Sequence, residues 1–493
     1  MNVQQIPNWL KQRAYLTPDR PAIKSNGVWV TFQELHQRVL HRANQLATLG
    51  VKKEDRVGLL MKNSFDMVIM VHALMYSGAV NVLLNNRLTS SELMWQIRDV
   101  SASYIFCDDS LEGEIHKLEA IDVVTHSELL STIAADTCTI VQEFASDSVA
   151  TIMYTSGTTG HPKGVLQTYG NHLWSAMGSA LNLGLHSDDR WLATVPLFHI
   201  SGFSILMKNV IYGMGIVLHE KFEAKQANRA ITEDKVTIVS VVTTMLNQML
   251  SELGSSSYPE HFRCMLLGGG PAPKTILEQC RDKKIPVFQT YGMTETSSQI
   301  VTLSADYSLE KLGSAGKPLF PCQLSIKKDQ KLSAAFEEGE IVVKGPNVTI
   351  GYWNRNDATL ESIKDSWLYT GDLGYLDDEG FLYVLDRRSD LIISGGENVY
   401  PAEIEGILMS HPAVTEAGVV GITDDRWGQV PFAFVVANKS ISEGELLDFC
   451  KGKLATYKVP KAIKFEKVLP RNASNKLLRR KLKELIEEGH HND

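Results

Sequence analysis

Apolar positions along the chain recur at helical spacing, then in short continuous or alternating runs, and the two patterns trade places repeatedly. Residues 7–49 read as helix, hairpin, helix. Asn8-Trp9-Leu10 opens a periodic stretch, and Ala22-Ile23-Lys24 and Trp29-Val30-Thr31 flank an Asn26-Gly27 turn. Thr31 is placed to cap a helix over 32–49, with Glu34 at its third position and Gly50 where the helix should stop. Strands then follow at 56–61, 79–84 and 104–106, separated by helices over 64–76 and 90–100. The alternation resumes after residue 164, with strands at 191–195, 215–219, 238–242 and 265–267 and helices at 203–212 and 224–233. Strands interleaved with helices of this length predict parallel sheets covered on both faces.

From about Gly313 the pattern changes to short alternating strands (323–327, 339–344, 381–385) divided by Gly and charged turns, a β-rich and barrel-like subdomain. Beyond Asp386 lies a unit of about a hundred residues, the usual scale of one domain. It reads as a helix over 401–410, strands at 418–422 and 432–436, a helix over 443–454, and a last strand and helix. The fold class is therefore α/β: an N-terminal domain over 1–385, doubly wound with the β-rich addition, and a small mobile α+β domain over 386–493. The charged run Asp386-Arg387-Arg388-Ser389-Asp390 suits a hinge.

Composition narrows the setting. The 493 residues, 44% apolar and 22% charged, fit about three folding units with ample core. A net charge of −8 argues against a nucleic-acid partner. The uncharged stretch 67–86 holds His72, Tyr76, Ser77, Gly78, Asn81 and Asn85, so it reads as a buried helix and strand rather than a membrane span. The polar amino end lacks the apolar core of a signal peptide. The six cysteines stand singly, which suits a reducing cytoplasm.

Thr155-Ser156-Gly157-Thr158-Thr159-Gly160-His161-Pro162-Lys163-Gly164 follows a strand-like run and combines glycines, hydroxyls and one lysine. Such a loop turns backbone N–H groups toward an anion and adds a mobile cation, as a phosphate grip does. It is not a Walker A loop, because Pro162-Lys163-Gly164 occupies the decisive places. Tyr291-Gly292-Met293-Thr294-Glu295, after a strand ending near Gln289 and Thr290, sets a hydroxyl beside a carboxylate, a pair suited to Mg²⁺ on phosphate oxygens or equally to capping a helix. Gly268-Gly269-Gly270-Pro271 offers a flat backbone wall for an adenine or simply a tight turn. Asp372 after a strand would accept from a ribose diol, and Arg387 would serve the sugar or a phosphate; each taken alone is more readily a solvated charge. His199, in apolar Pro196-Leu197-Phe198-His199-Ile200-Ser201-Gly202, has the setting of a core histidine. Lys476 at the start of the terminal helix is a cation at the wrong end of a dipole, which makes sense if an anion meets it there.

Together these stretches, with Pro401-Ala402-Glu403-Ile404-Glu405, resemble the adenylate-forming superfamily of acyl- and aryl-CoA synthetases, peptide-synthetase adenylation domains and luciferases, essentially end to end. Ser179-Ala180-Leu181-Asn182-Leu183-Gly184, Ser297-Ser298-Gln299-Ile300-Val301-Thr302-Leu303 and the flanks of His199 and Lys476 are similar to the o-succinylbenzoate–CoA ligases of menaquinone biosynthesis in Bacillus-type bacteria. The resemblance implies a carboxylate joined to ATP as an acyl-adenylate, then transfer of the acyl group to coenzyme A with loss of AMP. It implies that Thr155 to Lys163 hold the β- and γ-phosphates, Thr294 and Glu295 bind phosphate and Mg²⁺, and Gly269, Gly270, Pro271, Thr290, Tyr291 and Gly292 receive the nucleotide. Asp372 and Arg387 take the ribose, Lys476 bridges carboxylate and α-phosphate, His199 lines the acyl pocket, and Gly395 and Gly396 pass the pantetheine arm. Arg87 and hydroxyls at Ser201, Ser204 or Ser298 are alternatives for the substrate's second carboxylate. Other acyl-CoA synthetases, a stand-alone adenylation enzyme for a carrier protein, and a phosphate-binding module without chemistry are the competing readings. The expected partners are small molecules, with no nucleic acid and no stable membrane insertion, and a homo-oligomer is left open.

Overall fold

The computed structural model describes residues 4–115, 121–134, 138–155, 162–269, 274–328, 330–386, 391–470 and 477–489. The chain forms two compact units: Met1–Asn86, Ile97–Tyr154 and Gly164–Leu385 make the first, and Arg87–Gln96, Thr155–Lys163 and Asp386–Asp493 the second.

The first unit is organised on two sheets. One runs in the order Gly351–Tyr352, Lys163–Thr168, Val149–Thr155, Val80–Leu83, Arg56–Leu60, Tyr104–Cys107 and Asp122–Thr125. Its inner strands are parallel, with Arg56 opposite Val80 and Leu59 opposite Leu83. Every residue of Val80–Leu83 is buried, as expected of a strand covered on both faces. The stretch that mimics a membrane span is the 13-residue helix Phe65–Ser77, capped by Ser64 and stopped at Gly78 in the left-handed region (φ 72°), followed by Val80–Leu83. Among the described residues no helix is long and apolar enough to cross a membrane. The Thr31 and Glu34 capping box forms on Phe32–Thr48, and Asn26 and Gly27 both take positive φ in the hairpin turn.

In the second sheet, strands Arg190–Ala193, Ile238–Val242, Cys264–Gly268 and Val287–Met293 lie side by side and parallel. Ser298–Leu303 then turns back antiparallel to Val287–Met293. From there Ser314–Pro318, Leu382–Asp386, Trp367–Leu376, Gly339–Lys344, Gln323–Lys328 and Lys331–Leu332 continue the same hydrogen-bonded path. The β-rich subdomain is thus an extension of the second sheet, wrapped round its own core of Ile300, Val301, Ile326, Ile341, Val343, Leu368 and Leu382.

The second unit holds a long antiparallel pair, Val414–Asp424 with Gly428–Ala437, flanked by Ile463–Phe465 in parallel and by the hairpin Ile392–Ser394/Glu397–Val399. Helices Pro401–Met409 and Glu443–Lys451 close a core of Ile392, Val399, Ile404, Leu408, Val419, Val435, Leu446 and Ile463. Buried ions here are paired, as burial demands. Lys458 Nζ donates to Glu92 (2.6 Å) and Glu403 (2.8 Å), and Arg479 grips both oxygens of Glu405 at 2.7 Å.

Candidate active site

Val242 stands opposite Gly268, and Leu267 opposite Gln289, so these parallel strands end together at Gly269 and at the Tyr291–Glu295 motif. The carboxyl edge of a parallel sheet is where such folds bind ligands. The motif does not leave the strand at Gln289, as the sequence suggests: Val287–Met293 runs on through it, and Thr294–Thr296 is a single 3₁₀ turn capped by Met293. Thr294 is therefore not the helix N-cap that the competing reading allowed.

Glu295 is half-buried and positioned from two directions. Its Oε1 accepts from the Tyr352 hydroxyl (3.0 Å), and its backbone carbonyl accepts from the Thr349 N–H (2.8 Å). The carbonyl of Thr294 accepts from Gln167 Nε2 at 2.7 Å. Gln167 in turn accepts from the buried Thr151 hydroxyl (2.8 Å), which also meets His172 Nε2 at 2.9 Å. Burial pushes the His172 imidazole down to about 3, so the ring is neutral. Thr151 spends its one proton on Gln167, which assigns the ring proton to Nε2. This chain ties the first sheet to the backbone of Thr294. A carboxylate and a hydroxyl, oxygen donors only, fit a magnesium ion that completes its shell with phosphate oxygens and water.

Asp372 was expected after a strand; it lies instead inside Trp367–Leu376, buried, with its N–H on Thr370 Oγ1 (3.1 Å). Its Oδ2 accepts from the Tyr291 hydroxyl at 2.8 Å, which joins Asp372 to the Tyr291–Glu295 stretch. Thr290 donates to the Val301 carbonyl (2.9 Å). At Gly292 a Cβ would stand 2.0 Å from the Ser298 carbonyl oxygen, so only glycine fits against the returning strand.

His199 departs from the core-histidine reading. It is half-exposed at the N-cap of Ile200–Lys208, its ring tilted on Phe198 (centroids 4.6 Å), and its carbonyl accepts from the Phe203 N–H at 2.9 Å. Ser201 beside it is exposed and Ser204 is buried. Thr155 closes Val149–Thr155, and Lys163 opens Lys163–Thr168. Ser156, Gly157, Thr158, Thr159, Gly160, Gly270, Pro271, Arg387 and Lys476 lie outside the described residues.

In the second unit Gly395 and Gly396 form the two-residue turn between Ser394 and Glu397, both at positive φ (58° and 89°). A Cβ on Gly395 would stand 2.6 Å from Trp427 Cε3. Arg87 also belongs to this unit, where its guanidinium pairs with the buried Glu397 carboxylate at 2.7 Å. That ion pair engages one end of a guanidinium whose side chain is half-exposed. Sequence reasoning missed Gln167, Tyr352 and Asn347, which donates to the Thr296 carbonyl at 2.9 Å. They lie far from the motif in sequence, and nothing local to them announces the contact.

The model for AMP-binding enzymes matches residues 10–353, and that for the C-terminal domain of AMP-binding enzymes matches 403–476. The chain belongs to the AMP-binding enzyme family. Within it, the chain is 60% identical over 483 residues to a 2-succinylbenzoate–CoA ligase of Geobacillus sp. (strain WCH70), covering 98% of each. It is 58% identical over 486 residues to the 2-succinylbenzoate–CoA ligase of Bacillus cereus (strain AH820), covering 99% of this chain and all of that one. Among solved structures it is similar to o-succinylbenzoate CoA synthetase of Bacillus subtilis at 52% identity. A double mutant of that enzyme with a product analogue, OSB-NCoA, matches with a TM-score of 0.94 over 98% of this chain and 99% of that one. The form with the acyl-adenylate OSB-AMP matches at 0.77 over the same shares, and the form with ATP and magnesium at 0.77 over 97% and 100%.

Proposed function

We infer that this family member is an ATP-dependent acid–thiol ligase: it converts 2-succinylbenzoate, ATP and coenzyme A to 2-succinylbenzoyl-CoA, AMP and diphosphate through an acyl-adenylate, a step of menaquinone biosynthesis. The observation that carries this reading is 58–60% identity, over essentially whole chains, to proteins named for that activity. The buried Tyr291–Asp372 pair at the sheet's carboxyl edge supports it, since it supplies an acceptor for a ribose beside a motif suited to phosphate and magnesium.

In this reading the substrate carboxylate attacks the α-phosphorus of ATP, forming a C–O–P link as diphosphate leaves. The thiol sulfur of coenzyme A then attacks the acyl carbon, and AMP departs with the bridging oxygen. Bound magnesium, with Thr294 and Glu295 as its protein oxygens, neutralises phosphate charge. The chain's own groups position and stabilise. Asp372 and Arg387 hold the ribose, and Thr155, Ser156, Gly157, Thr158, Thr159, Gly160 and Lys163 cradle the departing diphosphate. Lys476 bridges carboxylate and α-phosphate, His199 lines the acyl pocket, and Gly395 and Gly396 line the path of the thiol. Residues 1–385 act as the nucleotide and acyl domain and 386–493 as the domain bearing the lysine, with the hinge at Asp386. The reactants dissolve in water, and a cytoplasmic location suits them. AMP release with a carboxylate panel, with and without coenzyme A, tests the reading: preference for 2-succinylbenzoate supports it, and equal use of benzoate or octanoate rejects it.

A further inference from the structure

One aspartate holds the strands that flank the stretch 155–163. Tyr154, next to Thr155 in the strand Val149–Thr155, donates its hydroxyl to Asp99 Oδ2 at 2.7 Å. The other carboxylate oxygen of Asp99 accepts from Arg355 Nη2, and its backbone carbonyl accepts from Trp353 Nε1 at 3.0 Å. Trp353 in turn donates its backbone N–H to the Gly164 carbonyl at 2.8 Å, one residue beyond Lys163. The two sides also meet directly. A Cβ on Gly164 would stand 3.3 Å from Tyr154 Cζ and 3.4 Å from Trp353 Cβ.

An exposed ion pair contributes little, and stapling a helix to a sheet asks no more of it. The Asp99 side chain, however, is only 11% exposed, and each of its bonds leads to a residue beside a proposed phosphate or magnesium contact. Tyr154 adjoins Thr155, and the Gly164 that Trp353 holds adjoins Lys163. The Arg355 N–H donates to the carbonyl of Tyr352 (3.3 Å), whose hydroxyl donates to Glu295 Oε1 (3.0 Å). Tyr352 also stands opposite Val165 in the sheet. The Arg56 guanidinium lies 5.0 Å from the Trp353 ring centre and donates to the Val100 carbonyl, beside Asp99, at 2.7 Å. Burial and the bond to Asp99 push the Tyr154 phenol above its ordinary range, so it stays a donor.

We propose that Asp99 is a positioning residue for adenylation: through Tyr154, Trp353 and Arg355 it holds both ends of the 155–163 loop where the β- and γ-phosphates need them. It touches no reacting atom. The proposal rests on the function inferred above and adds to it a residue that acts only on steps in which diphosphate is bound or leaving. Thioester formation from the acyl-adenylate involves no diphosphate, so that half-reaction is indifferent to Asp99.

The test uses the full-length protein and compares ATP–diphosphate exchange, with 2-succinylbenzoate present, against thioester formation from supplied acyl-adenylate. Asp99→Ala and Tyr154→Phe should each lower kcat/KM for ATP, and raise the KM for diphosphate, roughly 10-fold. The KM for the acid and the rate of thioester formation should stay within about twofold of the parent. The double variant should be no worse than Asp99→Ala alone, because both changes remove the same bond. Tyr154→Phe deletes a single hydroxyl and decides the matter if Asp99→Ala fails to fold. Equal losses in the two half-reactions, or unchanged constants for ATP and diphosphate, would overturn the proposal. Failure of the parent protein to activate 2-succinylbenzoate would instead remove the functional reading on which it stands.

Discussion

The Tyr291 hydroxyl donates to Asp372 Oδ2 at 2.8 Å, joining the strand Val287–Met293 to the strand Trp367–Leu376 within a buried environment. The bond fixes the carboxylate that the proposed reaction needs for its ribose. Tyr291→Phe leaves that carboxylate short of a donor, a loss of about 1–3 kcal/mol. We expect the KM for ATP to rise roughly 10-fold or more, with the KM for the acid nearly unchanged, and Asp372→Asn to do the same. Steady-state kinetics varying each substrate in turn checks it; equal changes in both KM values would mean that the pair only holds the fold.

Gly395 gives a second expectation. Its φ of 58° and the 2.6 Å approach of Trp427 to a would-be Cβ leave no room for a side chain. Gly395→Ala should reshape the turn and slow thioester formation from supplied acyl-adenylate more than it slows adenylation. Single-turnover assays of the two half-reactions separate these, and a loss confined to adenylation would contradict the role given to this turn.

For Lys476, the proposed bridge between carboxylate and α-phosphate acts only in the first half-reaction. Lys476→Ala should therefore cut acyl-adenylate formation by roughly 10²-fold or more while sparing thioester formation from supplied adenylate. Equal loss in both would remove the lysine from that role.

Lys208 provides a pH signature unrelated to the reaction. Its ammonium is buried 4.6 Å from the Trp191 ring centre, and burial pulls it from 10.5 down to about 7. The nearby Cys264 thiol, pushed up to about 12 by burial, stays protonated and supplies no counter-charge. Between pH 7 and 10.5 the unfolded chain thus holds a proton that the folded chain releases. Stability from this group should rise with pH across that window, by at most about 1.4 kcal/mol per unit. Lys208→Met should stabilise the protein at pH 7 and flatten this part of the profile. Denaturant melts at pH 7 and 9.5 decide it; a variant as pH-dependent as its parent would exclude Lys208 as the origin.

Much of the fold was legible because it is written locally. The Thr31/Glu34 capping box, the Asn26-Gly27 turn and the helix Ala224–Glu233 depend on neighbours in sequence, and all three stand where the pattern puts them. The residues proposed for the nucleotide were legible by resemblance, yet what holds them was not. Gln167 supports Thr294 from 127 positions away, and Tyr352 reaches Glu295 across 57. Such partners carry no periodicity or motif of their own. Asp372 misled for a related reason: the glycine before it looks like a strand end, but Gly371 takes φ 74° while its N–H donates to Glu340, and the strand continues. Arg87 was one alternative for the substrate's second carboxylate, and only the fold supplies Glu397 as a partner for it.

The most direct measurement of the central claim is AMP release by the purified protein with ATP, magnesium and coenzyme A, comparing 2-succinylbenzoate with benzoate and octanoate. The account requires 2-succinylbenzoate to be used with a kcat/KM at least roughly 100-fold above the others, and 2-succinylbenzoyl-CoA to form in step with AMP. Comparable turnover of all three acids, or AMP without thioester, would contradict it.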